Sequence, residues 1–213
     1  ALKTVPKVPS PTFFKIQIKP IMPSSLVSRF SSRLENELLL LRLLELHDYE
    51  QLYRVASDPL IWEQHPERER YKPEIFKRFF DGALESPAAY SITDKTTNQF
   101  IGSSRYYYLT SQEIKRYQTI SPSVHNAICI GYTFLARSHW GGKFNGSLKR
   151  LMIDHAFTTF ESVIFQIGEH NIRSRTAVER LGALLLPLQD DLPDHVGVHQ
   201  AHVIYELTKG HRL

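Results

Sequence analysis

Residues 130–153 read Ile-Gly-Tyr-Thr-Phe-Leu-Ala-Arg-Ser-His-Trp-Gly-Gly-Lys-Phe-Asn-Gly-Ser-Leu-Lys-Arg-Leu-Met-Ile, a buried strand, a glycine-bearing turn and an amphipathic helix in that order. This succession constrains the fold because it builds an anion site. Gly141, Gly142 and Gly146 let the backbone come close to a ligand, and a helix begins with N–H groups that have no partner inside it. Phosphate is the natural guest of such a helix start. Leu148, Leu151, Met152, Ala156 and Phe160 recur at helical spacing, Ile153 and Phe157 widen the apolar face, and Lys149, Arg150 and Asp154 fall elsewhere. Ser147 is the expected cap. Neither G-x-x-x-x-G-K-[ST] nor G-x-G-x-x-G occurs, so the P-loop and dinucleotide fingerprints do not explain the turn.

A second segment narrows the choice. Ser-Val-Ile-Phe-Gln-Ile at residues 162–167 is another β-rich run, followed by Gly168, Glu169, His170 and Asn171 and then by a short helical pattern. Asn171 is expected to cap that helix, Ala177, Val178 and Leu181 to bury one face, and Gly182 to stop it.

From about Leu38 onward the chain resembles the GNAT acetyltransferase superfamily, in the branch of ribosomal-protein N-terminal acetyltransferases. The resemblance rests on two motifs in order. The pyrophosphate loop of the family, often W-G-K-G-Y-A, is matched by Trp140-Gly-Gly-Lys-Phe-Asn145, a W-G-G-x-x-N variant in which Lys143 and Asn145 stand where glycine and a small residue are usual. The later pattern N-x-x-[AS] before a helix ending in glycine is matched by Asn171, Ser174 and Gly182. The fold this implies is α/β: a mixed, mostly antiparallel sheet flanked by helices, whose splayed central strands form a cleft for acetyl-CoA.

The resemblance also implies roles. Phe134, Leu135 and Ala136 would offer backbone groups to the pantetheine arm; Gly141, Gly142, Lys143, Phe144, Asn145 and Gly146 would hold the pyrophosphate. Asn171 would hydrogen-bond the pantetheine, and Arg175 would reach a coenzyme phosphate. Ser174 stands where a hydroxyl protonates the departing thiolate, since the tyrosine many relatives use one turn later is Val178 here. Relatives frequently carry a glutamate just before the Ile-Gly pair of the central strand. This chain has Cys129, which reads as an inert packer. Glu169 is then the candidate base, with Asp190 and Asp191 behind it.

Composition bounds the rest. The chain has 213 residues, suited to one domain at 37–213 with a basic arm at 1–36. One cysteine excludes an internal disulfide, and the run of leucines at 38–41 is too short to span a membrane. The arm carries no carboxylate before Glu35 and fits either a structural extension, with a strand at 13–19, or an organelle leader. The expected location is cytoplasmic, organelle import remaining open, with a homodimer as a further expectation. The net charge of +4 suits an acidic partner, and nucleic acid ranks last for want of an aromatic-basic motif. The histidines of residues 194–202 match no zinc signature, so no metal is expected.

Along the remaining chain, residues 37–46 read as the first core strand, Asp48 as the cap of a helix to about Ser57, and Pro73 as the start of a second helix with Ile75, Phe76, Phe79, Phe80 and Leu84 inward. Trp62, Glu63 and His65 between them are candidates for the acceptor pocket or stray residues of an exposed loop. Residues 88–93 and 100–109 form a hairpin, with Gly102 marking a bulge and Tyr106, Tyr107 and Tyr108 facing alternate sides. Residues 110–126 read as a polar connection, 127–136 as the central strand, and 183–188 and 202–207 as the last two strands.

Acetyl transfer needs an uncharged amine beside the thioester. At pH 7 a lysine-like amine of pKa about 10.4 costs roughly 4–5 kcal/mol to deprotonate, and an α-amine near 8 only about 1. The expected function is direct acetyl transfer from acetyl-CoA to a small-molecule amine or a peptide N-terminus; the rival is a catalytically silent CoA-binding or sensory module.

Overall fold

A computed structural model describes residues 29–193 and 199–211. Eight strands form one sheet in the order β1-β2-β3-β4-β5-β6-β8-β7. They are β1 (Arg33–Glu35), β2 (Leu39–Leu43), β3 (Ala88–Asp94), β4 (Gln99–Tyr107), β5 (Ala127–Leu135), β6 (Ser162–Gly168), β7 (Leu184–Pro193) and β8 (His199–Thr208). Neighbours are antiparallel except β5 and β6. The helices are α1 (Tyr49–Ala56), α2 (Pro73–Leu84), α3 (Ser111–Tyr117), α4 (Lys143–Ala156) and α5 (Ile172–Glu179).

The alternation of side chains along β5 sorts the core between the two faces. Ile128, Ile130 and Leu135 pack with Leu148, Met152, Ile153 and Ala156 of α4. Phe134 joins Leu52, Ala56, Trp62, Phe76 and Phe80 under α1 and α2, and Cys129 joins Tyr117 of α3. Tyr106 and Tyr107 take opposite faces as the strand period requires: the Tyr106 hydroxyl donates to the Met152 carbonyl at 2.5 Å, while the Tyr107 hydroxyl reaches Gln166 at 3.1 Å. β1 pairs with β2, and Phe30 stacks on Tyr106 with ring centroids 4.8 Å apart.

Several expectations change. The strand read over 37–46 is confined to Leu39–Leu43. Asp48 does not cap α1 with its side chain; it turns back to accept from the Glu45 N–H at 2.8 Å and the Arg42 guanidinium at 2.6 Å. The polar connection contains α3, opened by Thr110 and Glu113 capping one another's backbone. β7 and β8 reach to Pro193 and His199, consuming most of the connection read between them. The predicted strand at 13–19 and residues 194–198 of the histidine-bearing stretch lie outside the described residues.

Candidate active site

β5 and β6 pair only over Ala127–Ser162, Ile128–Val163 and Cys129–Ile164. Beyond that point β5 runs on to Leu135 along β4 and β6 to Gly168 along β8 without pairing with each other, so the sheet opens into a wedge. Two features of β5 explain why it departs. Tyr132 sits in the left-handed region at φ +54°, and the β4–β5 register slips between Ser103 and Arg105. Further along, the Ala136 N–H donates to the Ile101 carbonyl at 2.7 Å, toward β4. By alternation Leu135 turns its backbone to the wedge, and its carbonyl there accepts the Trp140 indole at 2.9 Å. Of the three residues expected to meet a pantetheine arm, Leu135 therefore faces the gap, whereas Ala136 is bonded to β4 and the Phe134 side chain is buried under α2.

The turn that follows β5 leads straight into α4, which begins at Lys143 with Gly142 at its cap position. Ser147 is therefore inside the helix, not its cap, and its hydroxyl accepts from the Asn36 amide at 2.6 Å. Lys143, Phe144, Asn145 and Gly146 form the first turn, whose N–H groups cannot be satisfied within the helix. Gly142 has no side chain to cap them. Gly141, at φ +70°, and Gly142 both face open space, with nothing within 4 Å of where a Cβ would stand. An unobstructed row of N–H donors at the mouth of the wedge can hold a diphosphate.

Across the gap, the Asn171 carboxamide oxygen accepts the Ser174 N–H at 3.2 Å, capping α5 as expected, and Gly182 ends that region at φ +87°. Ser174 is half-buried on the first turn. Glu169 lies in the turn between β6 and α5, its carbonyl held by Arg175 Nη1 at 2.9 Å. Arg175 also donates to the Tyr205 hydroxyl at 3.1 Å, which ties it to β8. Arg173 is the arginine that meets the turn: its guanidinium lies 3.9 Å from the Trp140 ring centroid, bridging α5 to it.

The opposite mouth, under α2, holds Trp62 and His65, both acceptor-pocket candidates from the sequence, and two arginines that the sequence does not single out. Trp62 is core, its indole donating to the Ala56 carbonyl at 2.8 Å. Next to it Arg70 is 4% exposed and ion-paired with Glu67, and its Nη1 lies 3.1 Å from His65 Nε2. Burial and the neighbouring Arg70 charge hold His65 neutral, well below its usual pKa. Arg105 on β4 sits opposite Gly131 and is 8% exposed, its guanidinium carbon 3.4 Å from the Tyr132 ring centroid. Pro66 presses on Gly168 of β6, where a Cβ would come within 2.3 Å of its ring, so the α1–α2 loop is seated against the diverging strand.

On the α4 face Lys149, off the apolar stripe by its spacing, is nonetheless only 6% exposed. Its ammonium donates to Thr133 Oγ1 at 2.7 Å and lies 5.6 Å from the Phe165 ring, between the two diverging strands. Burial pushes its pKa down to about 7. Cys129 is fully buried and its thiol is pushed well up, as an inert packing residue requires. No described helix is long and apolar enough to cross a membrane.

The acetyltransferase (GNAT) domain family model matches residues 39–184. A search of curated protein sequences finds no significant match. Among solved structures, a GCN5-related N-acetyltransferase from Brucella melitensis is 14% identical with a TM-score of 0.68, covering 86% of this chain and 81% of its own. RimJ from Mycobacterium smegmatis, solved with CoA-disulfide, is 16% identical with a TM-score of 0.59, covering 81% and 82%. A spermidine N-acetyltransferase from Vibrio cholerae, solved with CoA and spermine, is 14% identical with a TM-score of 0.60, covering 83% and 98%. At these identities the likeness is one of fold.

Proposed function

The chain belongs to the GNAT acetyltransferases and is an acetyl-CoA-dependent N-acetyltransferase; from that premise we propose that it transfers the acetyl group directly to the amine of a small molecule or a peptide N-terminus. The observation that carries this reading is the wedge itself. β5 and β6 part after Cys129 and Ile164, and the strand that continues ends in an open glycine turn with unsatisfied N–H donors.

In this reading the first turn of α4, from Lys143 to Gly146, with Gly141 and Gly142 before it, binds the pyrophosphate. The pantetheine arm lies along Leu135, with Asn171 opposite. Acetyl-CoA supplies an activated thioester. The neutral amine attacks its carbonyl carbon, the C–N bond forms, and collapse of the tetrahedral species breaks the C–S bond. Glu169 accepts the proton lost by the amine, Ser174 supplies a proton to the departing thiolate, and Ser174 regains a proton from Glu169 through solvent, so that one proton passes in net from the amine to the CoA thiol. An α-amine suits this site, because it needs only about 1 kcal/mol to be neutral at pH 7.

The test is to follow CoA release from acetyl-CoA with amines, polyamines and short peptides, alongside calorimetric binding of acetyl-CoA. Turnover with at least one amine supports transfer. A protein that binds acetyl-CoA tightly, resists heat with it and never releases CoA is the silent module instead.

A further inference from the structure

Charge does not balance on the α2 side of the wedge. Two guanidinium groups are buried there, Arg70 and Arg105, both against Phe79 and Tyr132. The one ion pair between them and a carboxylate among the described residues is that of Arg70 with Glu67. Arg105 has none, and its Nε is buried with no hydrogen-bond partner. A buried charge without a counter-ion is costly, and so is a buried donor left unmade. The Tyr132 backbone adds to the cost, since a tyrosine held at φ +54° inside a strand is strained. That conformation lays its ring over Arg105 while leaving Tyr132 38% exposed at the mouth.

We propose that the acceptor carries a carboxylate, and that this carboxylate seats on the Arg105 guanidinium with Arg70 behind it. The inference rests on the transferase reading and deepens it by naming the acceptor class. Geometry supports the assignment. Arg105 pairs across the strands with Gly131, two residues past the last β5–β6 pair at Cys129. Its strand is one sheet spacing, about 4.8 Å, from the strand that borders the wedge. A short molecule can therefore hold its carboxylate on Arg105 while its amine crosses β5 toward the gap. A planar guanidinium matches a carboxylate with two parallel hydrogen bonds, and the aromatic walls exclude the water that would screen them. The same two cations repel a polyamine.

The chemistry is shared by free amino acids and by peptides that begin with an acidic residue, and the experiment separates them. Initial rates of CoA release are measured for matched pairs: α-amino acids against their α-carboxamides, and amidated peptides beginning with Asp or Glu against the same peptides beginning with Asn or Gln. The expected result is a preference in kcat/KM of roughly ten- to a hundredfold for the carboxylate member of one set. The set that shows it identifies the source. In Arg105→Met the preference falls toward one while calorimetric affinity for acetyl-CoA is retained. If that variant does not fold, Arg105→Lys carries the comparison, and the preference must shrink several-fold because an ammonium loses the two-pronged bond. Carboxamides used as well as carboxylates, or a preference unchanged in the Arg105 variant, would overturn the proposal and leave the transferase standing. If acetyl-CoA binds and no amine of any kind is acetylated, the transferase reading fails and this inference falls with it.

Discussion

Gly102 of β4 lies against the backbone of Phe134 on β5, so closely that a Cβ on Gly102 would stand 2.0 Å from the Phe134 carbonyl oxygen and 2.9 Å from its carbon. The contact is backbone, which cannot swing aside as a flexible side chain can. It is also placed where β5 carries the wedge edge toward the glycine turn. Gly102→Ala is therefore expected to destabilise the fold by about 1–3 kcal/mol, the usual cost of overpacking, and to push β5 off its track. Denaturant unfolding reads the first effect, and calorimetry with acetyl-CoA reads a weakened affinity. A variant as stable as the parent with unchanged affinity contradicts the idea that this approach sets the wedge.

Gly142 offers a test in which stability and binding move in opposite directions. Its backbone, at φ −113° and ψ −155°, accepts any residue, and it stands at the cap of α4 with no side chain to use. Gly142→Asp supplies a capping carboxylate and a negative charge at the positive end of the helix. The gain is a few tenths to about 1 kcal/mol. The same carboxylate occupies and repels the pyrophosphate site, so acetyl-CoA affinity should drop by about tenfold or more. Melting temperature and calorimetric affinity, measured on one sample, decide it; if the more stable protein binds acetyl-CoA as before, the diphosphate lies elsewhere.

The elements that sequence reading placed well are those whose signal is local. The Asn171 cap and the Gly182 stop are set by residues three or four positions apart, and both stand as expected. The α4 cap lies five residues before the expected Ser147, at Gly142, because a glycine cap leaves no polar side chain to betray it. α3 was missed although Thr110 and Glu113 form a capping pair, because the segment between them and Asn126 shows no sustained apolar face. Lys149 is the plainest failure. A lysine beside Leu148 on a helix reads as solvated, and only the divergence of two strands distant in sequence creates the gap it enters. Arg70 and Arg105 were hidden for the same reason, their juxtaposition resting on the packing of the α1–α2 loop against β4 and β5.

Ser174 and Asn171 should separate in their effects. Ser174→Ala removes a half-buried hydroxyl without disturbing the cap, whose acceptor is Asn171. The expectation is a fall in kcat of roughly a hundredfold, the low end of the range for general acid catalysis, with KM for acetyl-CoA little changed. Asn171→Ala loses the cap as well and should cost about 1 kcal/mol of stability. Steady-state kinetics with thermal melts resolves the two; a Ser174→Ala enzyme with full kcat leaves solvent as the proton donor.

Lys149 predicts how stability responds to pH. Burial lowers its pKa from 10.5 to about 7, and no carboxylate pairs with it among the described residues. Between these two values the unfolded chain binds a proton that the native protein does not, so stability rises with pH through the window. Below about pH 7 both states are protonated and the full penalty of the buried charge is present. Unfolding free energy should therefore increase by about 1–3 kcal/mol from pH 7 to pH 9, at no more than 1.36 kcal/mol per unit. Lys149→Met should remove most of that slope and be the more stable protein at pH 7. The Thr133 hydroxyl it abandons keeps its 2.7 Å contact with the Ser104 hydroxyl, so no polar group is orphaned by the change. Denaturant melts of both proteins at pH 6.5, 7.5, 8.5 and 9.5 measure the difference. Parallel curves would mean that the ammonium is solvated, and that it does not stand between the separating strands.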